Sequence, residues 1–422
     1  MYEQSYTEQE QHRIIFTKEM KKNYKILIPN MLPIHFELFK NILIQENFNC
    51  EILNYKNNQI IEEGLKYTHN DMCYPCVIVV GQFIYALKSG KYDVNKTALL
   101  MTQTGGGCRA SNYINIIRKA LKRAGFPQVP VISVNLSGFE KNPGFKVSLN
   151  LVKKLTSAII YGDMLMHLNN QIKPYEINKN ETQDKIQSWI LKLTKQYENS
   201  AWSIKKSMSK NFDDIVKDFS NIKINKTKKI EVGVVGEIYV KFSSIANNNI
   251  EKFLEDEDAE IHVLGLIDFL IFKVDNRVVD TDLYGGSKIK KFICNEFKKY
   301  LESLQTMLIT SIKNNSNFNA PSPFEEIKKN VAPYINYGVK MGEGWLLTAE
   351  IIELIQKGIK NIICVQPFGC LPNHIAGKGM IRKIIDKNPD VNIVCIDYDA
   401  GSTKINQQNR IKLMLASAKE KL

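Results

Sequence analysis

Ala98-Leu-Leu-Met-Thr-Gln-Thr-Gly-Gly-Gly-Cys108 and Asn361-Ile-Ile-Cys-Val-Gln-Pro-Phe-Gly-Cys370 decide the fold. Each begins as a short apolar run bounded by turn residues, which reads as a buried strand. Each then breaks at glycine, places a cysteine at the turn, and continues into a helical pattern. Working outward, Tyr24–Ile28, Cys50–Leu53 and Val129–Val134 read as further strands. Ile34–Asn47, Val77–Leu87 and Ser111–Ala124 read as helices between them. Residues 147–220 turn helical, with Lys185–Lys210 as one repeating apolar stripe. After the polar, basic stretch Asn221–Lys229, alternation resumes. Ile230–Val235, Glu260–Val263, Asn361–Val365 and Val391–Ile396 are strands, and Ile250–Leu254, Ile289–Lys313, Leu346–Lys357 and Ile375–Asp386 are helical. Alternating strands and helices imply parallel sheets covered by helices. The expected architecture is α/β, with an N-terminal domain over 1–146, a helical connecting segment over 147–229 and a C-terminal domain over 230–422. Ligands of such sheets bind beyond the carboxyl ends of the strands, where both cysteine turns fall.

Four turn cysteines carry the chemistry: Cys73 and Cys76 in Cys-Tyr-Pro-Cys, Cys108 after the triple glycine, and Cys370. Each stands near an expected helix start, where unpaired N–H groups and the helix dipole favour a thiolate. Thiolates bind metal. Soft ligands from three separated segments suggest an iron–sulfur cluster, with zinc as the second choice. Cys73 and Cys76 alone could instead form a redox disulfide. Gly105, Gly106 and Gly107 let backbone approach a phosphate or a cluster sulfide without Cβ obstruction. No Gly-Lys-Ser/Thr follows them, so this is not a nucleotide loop of the Walker type. Asn373 and His374 follow Cys370. Asn373 is a candidate for cofactor binding and His374 a candidate proton donor. Glu343, between Gly342 and Gly344, is an acid–base group or a plain loop residue. Cys364 and Cys395 lie in apolar strands and read as core, as Cys50 and Cys294 read as structural.

Composition bounds the rest. The chain has 422 residues, 44% hydrophobic and 24% charged, enough for two or three domains. Eight cysteines in so long a chain do not make a disulfide framework. The first residues lack the apolar block of a signal peptide, and no run reaches membrane-spanning length, so a cytoplasmic protein is expected. The net charge of +13 would attract nucleic acid, an acidic partner or a phosphorylated substrate. Its lysines are mostly dispersed, apart from Lys223-Ile-Asn-Lys-Thr-Lys-Lys229, so nucleic acid is not the expected partner. Glu255-Asp-Glu-Asp-Ala-Glu260 reads as a solvated acidic edge. Asp397-Tyr-Asp-Ala-Gly-Ser-Thr-Lys404 imitates an actin-like phosphate loop but lies too close to the end of the chain, and reads as a cleft loop.

Asn70-Asp-Met-Cys73-Tyr-Pro-Cys76, Gln103-Thr-Gly-Gly-Gly-Cys108-Arg-Ala-Ser-Asn112, Val235-Gly-Glu-Ile-Tyr239 followed by Asn247, and Gln366-Pro-Phe-Gly-Cys370-Leu-Pro-Asn-His374 together resemble the acyl-CoA dehydratase activase-related proteins. That family stands with the 2-hydroxyacyl-CoA dehydratases, benzoyl-CoA reductases and double-cubane cluster proteins. The resemblance covers roughly residues 24–412. It implies two flavodoxin-like (Rossmann-like) domains joined by helices, with a metal cluster at their interface. It implies a four-iron four-sulfur cluster, or a double-cubane variant, on Cys73, Cys76, Cys108 and Cys370. A separate ATP-dependent activase would supply low-potential electrons in trans, for reductive or dehydration chemistry on an acyl-CoA or small molecule. The well-studied dehydratases use three cysteines per subunit and keep one iron open. Four stand in motif positions here, and a double-cubane cluster would need Cys364 or Cys395 as well. A homodimer is one arrangement open to such a chain. Two other classes compete: a non-catalytic iron–sulfur electron carrier or scaffold, and a structural-zinc protein binding nucleic acid through its basic face.

Overall fold

The computed structural model describes residues 13–55, 57–69, 71–103, 107–134, 140–199 and 201–420. The chain divides into two compact units. One comprises the described residues through Met31 with Lys40–Leu149, and the other Leu32–Phe39 with Asn150–Leu422. Each contains a four-stranded, all-parallel sheet, so the chain is α/β.

In the first unit the strands are β1 (Lys25–Pro29), β2 (Asn49–Leu53), β3 (Thr97–Thr102) and β4 (Val131–Val134), ordered β2-β1-β3-β4. In the second they are β5 (Ile230–Gly236), β6 (Ala259–His262), β7 (Asn361–Pro367) and β8 (Asn392–Tyr398), ordered β6-β5-β7-β8. Both follow the same doubly wound order, with the first strand of each unit paired to its second and third. The central strands β3, β5 and β7 are almost wholly buried. Helices cover both faces of such sheets, which is why these strands are apolar without alternation.

In the first unit, helices Gln59–Tyr67 and Tyr74–Lys88 cross at two glycines. A Cβ on Gly64 would lie 2.1 Å from the Val77 carbonyl oxygen, and one on Gly81 would lie 1.9 Å from that of Ile60. The two backbones therefore touch, and the second helix starts at a fixed place relative to the first. In the second unit, helices Leu149–Ile172, Glu181–Gln196 and Ala201–Ser220 pack with Leu266–Tyr284 and Lys288–Asn315. Asp163 organises this layer. Its Oδ1 accepts hydrogen bonds from Leu266 N and lies 2.8 Å from buried His35 Nε2, and its Oδ2 accepts from Ile267 N, each at 2.8 Å. One carboxylate thus satisfies two of the unpaired N–H groups that open helix Leu266–Tyr284.

Most expected elements are present within a residue or two. The expected helix Ile375–Asp386 is instead two, Leu371–Ala376 and Ile381–Lys387, interrupted at Gly377, a poor helix former. The stripe Lys185–Lys210 belongs to two helices that end at Gln196 and begin at Ala201. Helices Gln59–Tyr67, Leu266–Tyr284, Phe324–Val331 and Lys404–Lys419 were not expected. Glu260 corrects the reading of a solvated acidic edge. It is 3% exposed, its carboxylate covered and hydrogen-bonded by the Tyr175 phenol.

Replacing Asp163 with alanine strands two helix-start N–H groups and a buried imidazole. The expected cost is about 3–5 kcal/mol, read as a lower urea midpoint at unchanged m-value. A midpoint within error of wild type contradicts this account.

Candidate functional site

The cysteines occupy equivalent turns. Cys108 follows β3 and Cys370 follows β7, the third strand of each unit. In the doubly wound order, connections from the first and third strands leave on opposite faces, and the crevice opens between them. A glutamine accompanies each turn. Gln103 Oε1 accepts from Ser133 on β4 at 2.7 Å, and Gln366 Nε2 donates to Asp397 on β8 at 2.6 Å. Each side chain ties its turn to the neighbouring strand.

In the first unit, Cys73 is the N-cap of helix Tyr74–Lys88 and Cys76 is its third residue, with Pro75 between. Cys108 precedes the short 3₁₀ turn Arg109–Asn112 that leads into helix Tyr113–Arg123. Two contacts join these segments. Cys73 Sγ is 2.8 Å from Tyr113 Oη, and the Arg109 guanidinium donates to the Asp71 carbonyl. These contacts bring the Cys73–Cys76 helix start near the segment that follows Cys108, but among the described residues no group of three ligand atoms within 4.8 Å of one another includes a cysteine. Gly107 is exposed, while Gly105 and Gly106 lie outside the described residues.

The expectation that these positions favour thiolates fails at two of them. Cys76 is 0% exposed, and burial, with the Cys73 charge beside it, pushes its thiol well up. Burial also pushes Cys370 up to about 12, and the Glu343 and Glu237 charges add to this. Asn373 Nδ2 donates to Cys370 Sγ at 3.3 Å, which favours the thiolate, but desolvation is the larger effect. Both are therefore thiols unless a cation replaces the lost water. None of the eight cysteines is in a disulfide. Cys364 and Cys395 are buried register neighbours on β7 and β8. Cys50 is also buried, with its Sγ 3.6 Å from the Lys40 carbonyl oxygen.

Around Cys370 the second unit assembles a carboxyl site that the sequence only hints at. Gly236 ends β5 at φ +145°, and a Cβ there would lie 1.8 Å from the Val365 carbonyl oxygen. Only glycine fits so close a pairing with β7. Glu237 follows as the N-cap of helix Ile238–Phe242, its Oε2 accepting from Val240 N at 2.8 Å. Glu343, 7% exposed, accepts from Ile238 N at 3.1 Å and from Asn373 Nδ2 at 3.2 Å. Trp345 anchors its loop. It is fully buried against Phe272, Phe324 and Tyr337, with ring centroids at 5.1, 5.8 and 5.4 Å.

Asn373 is thus committed to Glu343 and Cys370, while its buried Oδ1 has no hydrogen-bond partner. His374 Nδ1–H donates to the Cys370 carbonyl at 2.9 Å, which fixes the ring and leaves Nε2 3.8 Å from Asp397 Oδ1. Burial, with the Glu343 carboxylate beside it, pushes Glu237 up to about 8. Lys241, whose charge draws Glu237 back down, is ion-paired to Glu350 at 2.8 Å. Glu237 therefore keeps its proton at neutral pH, which makes it a rival to His374 as proton donor. Glu237 stands in the Val235-Gly-Glu-Ile-Tyr239 motif, but the sequence alone does not single it out as a proton donor, because Glu343 meets it only through the fold.

Glu237 binds its proton more tightly folded than unfolded. This group's contribution to stability is therefore full below about 4.5 and is lost as pH rises through about 8. Glu237→Gln keeps the capping oxygen and cannot ionise. Between pH 5 and 8 the wild-type Tm is expected to fall relative to that of the variant, and parallel Tm profiles contradict the assignment. No helix among the described residues is long and apolar enough to cross a membrane. No family model and no curated protein matches the chain.

Proposed function

We propose that this chain is an iron–sulfur redox protein that receives low-potential electrons from an ATP-dependent activase in trans and uses them on an acyl-CoA or a small reducible compound. The observation that carries the reading is the contact of Cys73 Sγ with Tyr113 Oη, because it draws the Cys108 turn against the Cys73–Cys76 helix start. Three sulfur donors from two segments of one unit suit a metal that prefers soft ligands. Cys73, Cys76 and Cys108 would hold the cluster, and Cys370 is the candidate fourth ligand. The cluster would supply one-electron transfer. The chain's own residues bind, shield and protonate. Tyr113 would donate a hydrogen bond to the Cys73 sulfur, tuning its basicity. Glu237 would keep a proton available near the Cys370 turn, and His374 would stand oriented beside that turn.

The protein purified without oxygen is expected to contain iron and acid-labile sulfide, with an electron paramagnetic resonance signal on reduction. Cys108→Ser is expected to lose most of the iron and the visible charge-transfer absorption. Retention of the full iron complement defeats the assignment. Iron loss in Cys370→Ser adds that thiol to the ligand set. Unchanged iron leaves a three-cysteine site with one open iron, the form an enzyme needs rather than a pure carrier.

One observation favours a second reading. Cys73 caps its helix half-buried, while Cys76 sits inside its first turn with Pro75 between, an arrangement also suited to a reversible dithiol. In that case the anaerobic protein is iron-free, oxidation joins Cys73 to Cys76, and serine at Cys108 changes nothing.

A further inference from the structure

The paired strands β5 and β6 carry a second cluster, which the thiol chemistry leaves unused. Parallel pairing sets Glu231 beside Glu260 and Gly233 beside His262. Residues two apart on a strand share a face, so Glu231, Glu260 and His262 project to the same side of the sheet. One ligand atom from each lies within 4.8 Å of the others. His262 Nε2 is 3.4 Å from Glu260 Oε1 and 3.9 Å from Glu231 Oε1. That nitrogen is buried and makes no hydrogen bond. Glu260 is itself buried, and its Oε2 accepts a hydrogen bond from the Tyr175 phenol, which turns Oε1 toward His262.

These separations are long for hydrogen bonds and right for a shared ion. Ligand atoms about 2.0–2.1 Å from a tetrahedral centre stand roughly 3.3 Å apart. A buried, unpartnered imidazole nitrogen facing two carboxylates is costly alone and is satisfied by a cation between them. We propose that Glu231, Glu260 and His262 form a mononuclear site for a divalent transition-metal ion of the zinc class, with Tyr175 orienting the Glu260 carboxylate. One nitrogen and two oxygens suit zinc, manganese or ferrous iron better than ions that demand thiolate. Glu231 and Glu260 also line a cavity of about 440 Å³, with Tyr175, Lys229 and Lys360 on its walls. With two of the three protein ligands, Glu231 and Glu260, on the cavity wall, one coordination position is left for water or substrate, the pattern of catalytic rather than closed structural zinc sites. The site lies within the second unit and uses no cysteine.

Cobalt(II) is the probe, because its spectrum reports its ligands. The chelator-treated full chain is titrated with Co²⁺ without oxygen. The expected result is one equivalent showing weak visible d–d bands and no sulfur-to-cobalt charge-transfer absorption. Tyr175→Phe is expected to weaken this binding about tenfold, and Glu231→Gln and His262→Ala by at least about as much. Glu231 is exposed, so Glu231→Gln keeps the fold and decides the matter even where His262→Ala does not fold. The proposal is overturned if all bound cobalt shows sulfur charge transfer, or if folded Glu231→Gln retains wild-type affinity. Neither outcome depends on whether the cysteines hold iron.

Discussion

Hydrogen bonding between the first and third strands of each sheet is the constraint on which the functional geometry rests. β1 pairs with β3, and β5 with β7. That pairing forces the connections at their carboxyl ends apart, because one turns to each face of the sheet. The parting falls beside Cys108 in the first unit and beside Cys370 in the second. In the second unit it demands such close backbone approach that Gly236 admits no side chain. Glu237, at the next position, is then delivered to the strand end with its carboxyl free to cap a helix and meet Glu343.

Burial disfavours the charged form at Cys76, Cys370 and Glu237. Sequence logic places cysteines at helix starts, where dipoles favour thiolates. The folded chain buries Cys76 and Cys370 so deeply that loss of water outweighs those dipoles. The same desolvation keeps a proton on the Glu237 carboxyl. Each of these groups carries little negative charge at neutral pH, and either thiol must lose its proton before it can ligate a metal.

The sheets were legible because each central strand is a continuous apolar run closed by a turn residue. The cysteine turns were legible because glycine and proline punctuate them. Helix Leu266–Tyr284 was not, because Asp268, Asp275 and Asn276 lie on its buried side and blur the apolar stripe. Their partners are distant: Gln305 donates to Asp268 at 2.6 Å, and Lys298 and Lys328 reach Asp275 at 2.8 and 2.7 Å. Helix Gln59–Tyr67 was hidden by its shortness and by Gly64. Glu260 looked like the end of a solvated acidic run, since nothing local announces Tyr175 as its partner 85 residues away. Glu343 was visible as a candidate, but its meaning depends on Asn373, which chain order does not supply.

The bare backbone contact of Gly64 and Gly81 with their neighbours makes the rod that begins at Cys73 behave like a beam clamped at mid-span. Its two thiols sit on the short overhang, where bending is least. Electron-transfer centres gain from such stiffness, because reorganisation on changing oxidation state falls when the surrounding frame cannot flex. In the proposed redox role, the crossing of two smooth rods would set how quickly charge passes, without either glycine touching the sulfur ligands.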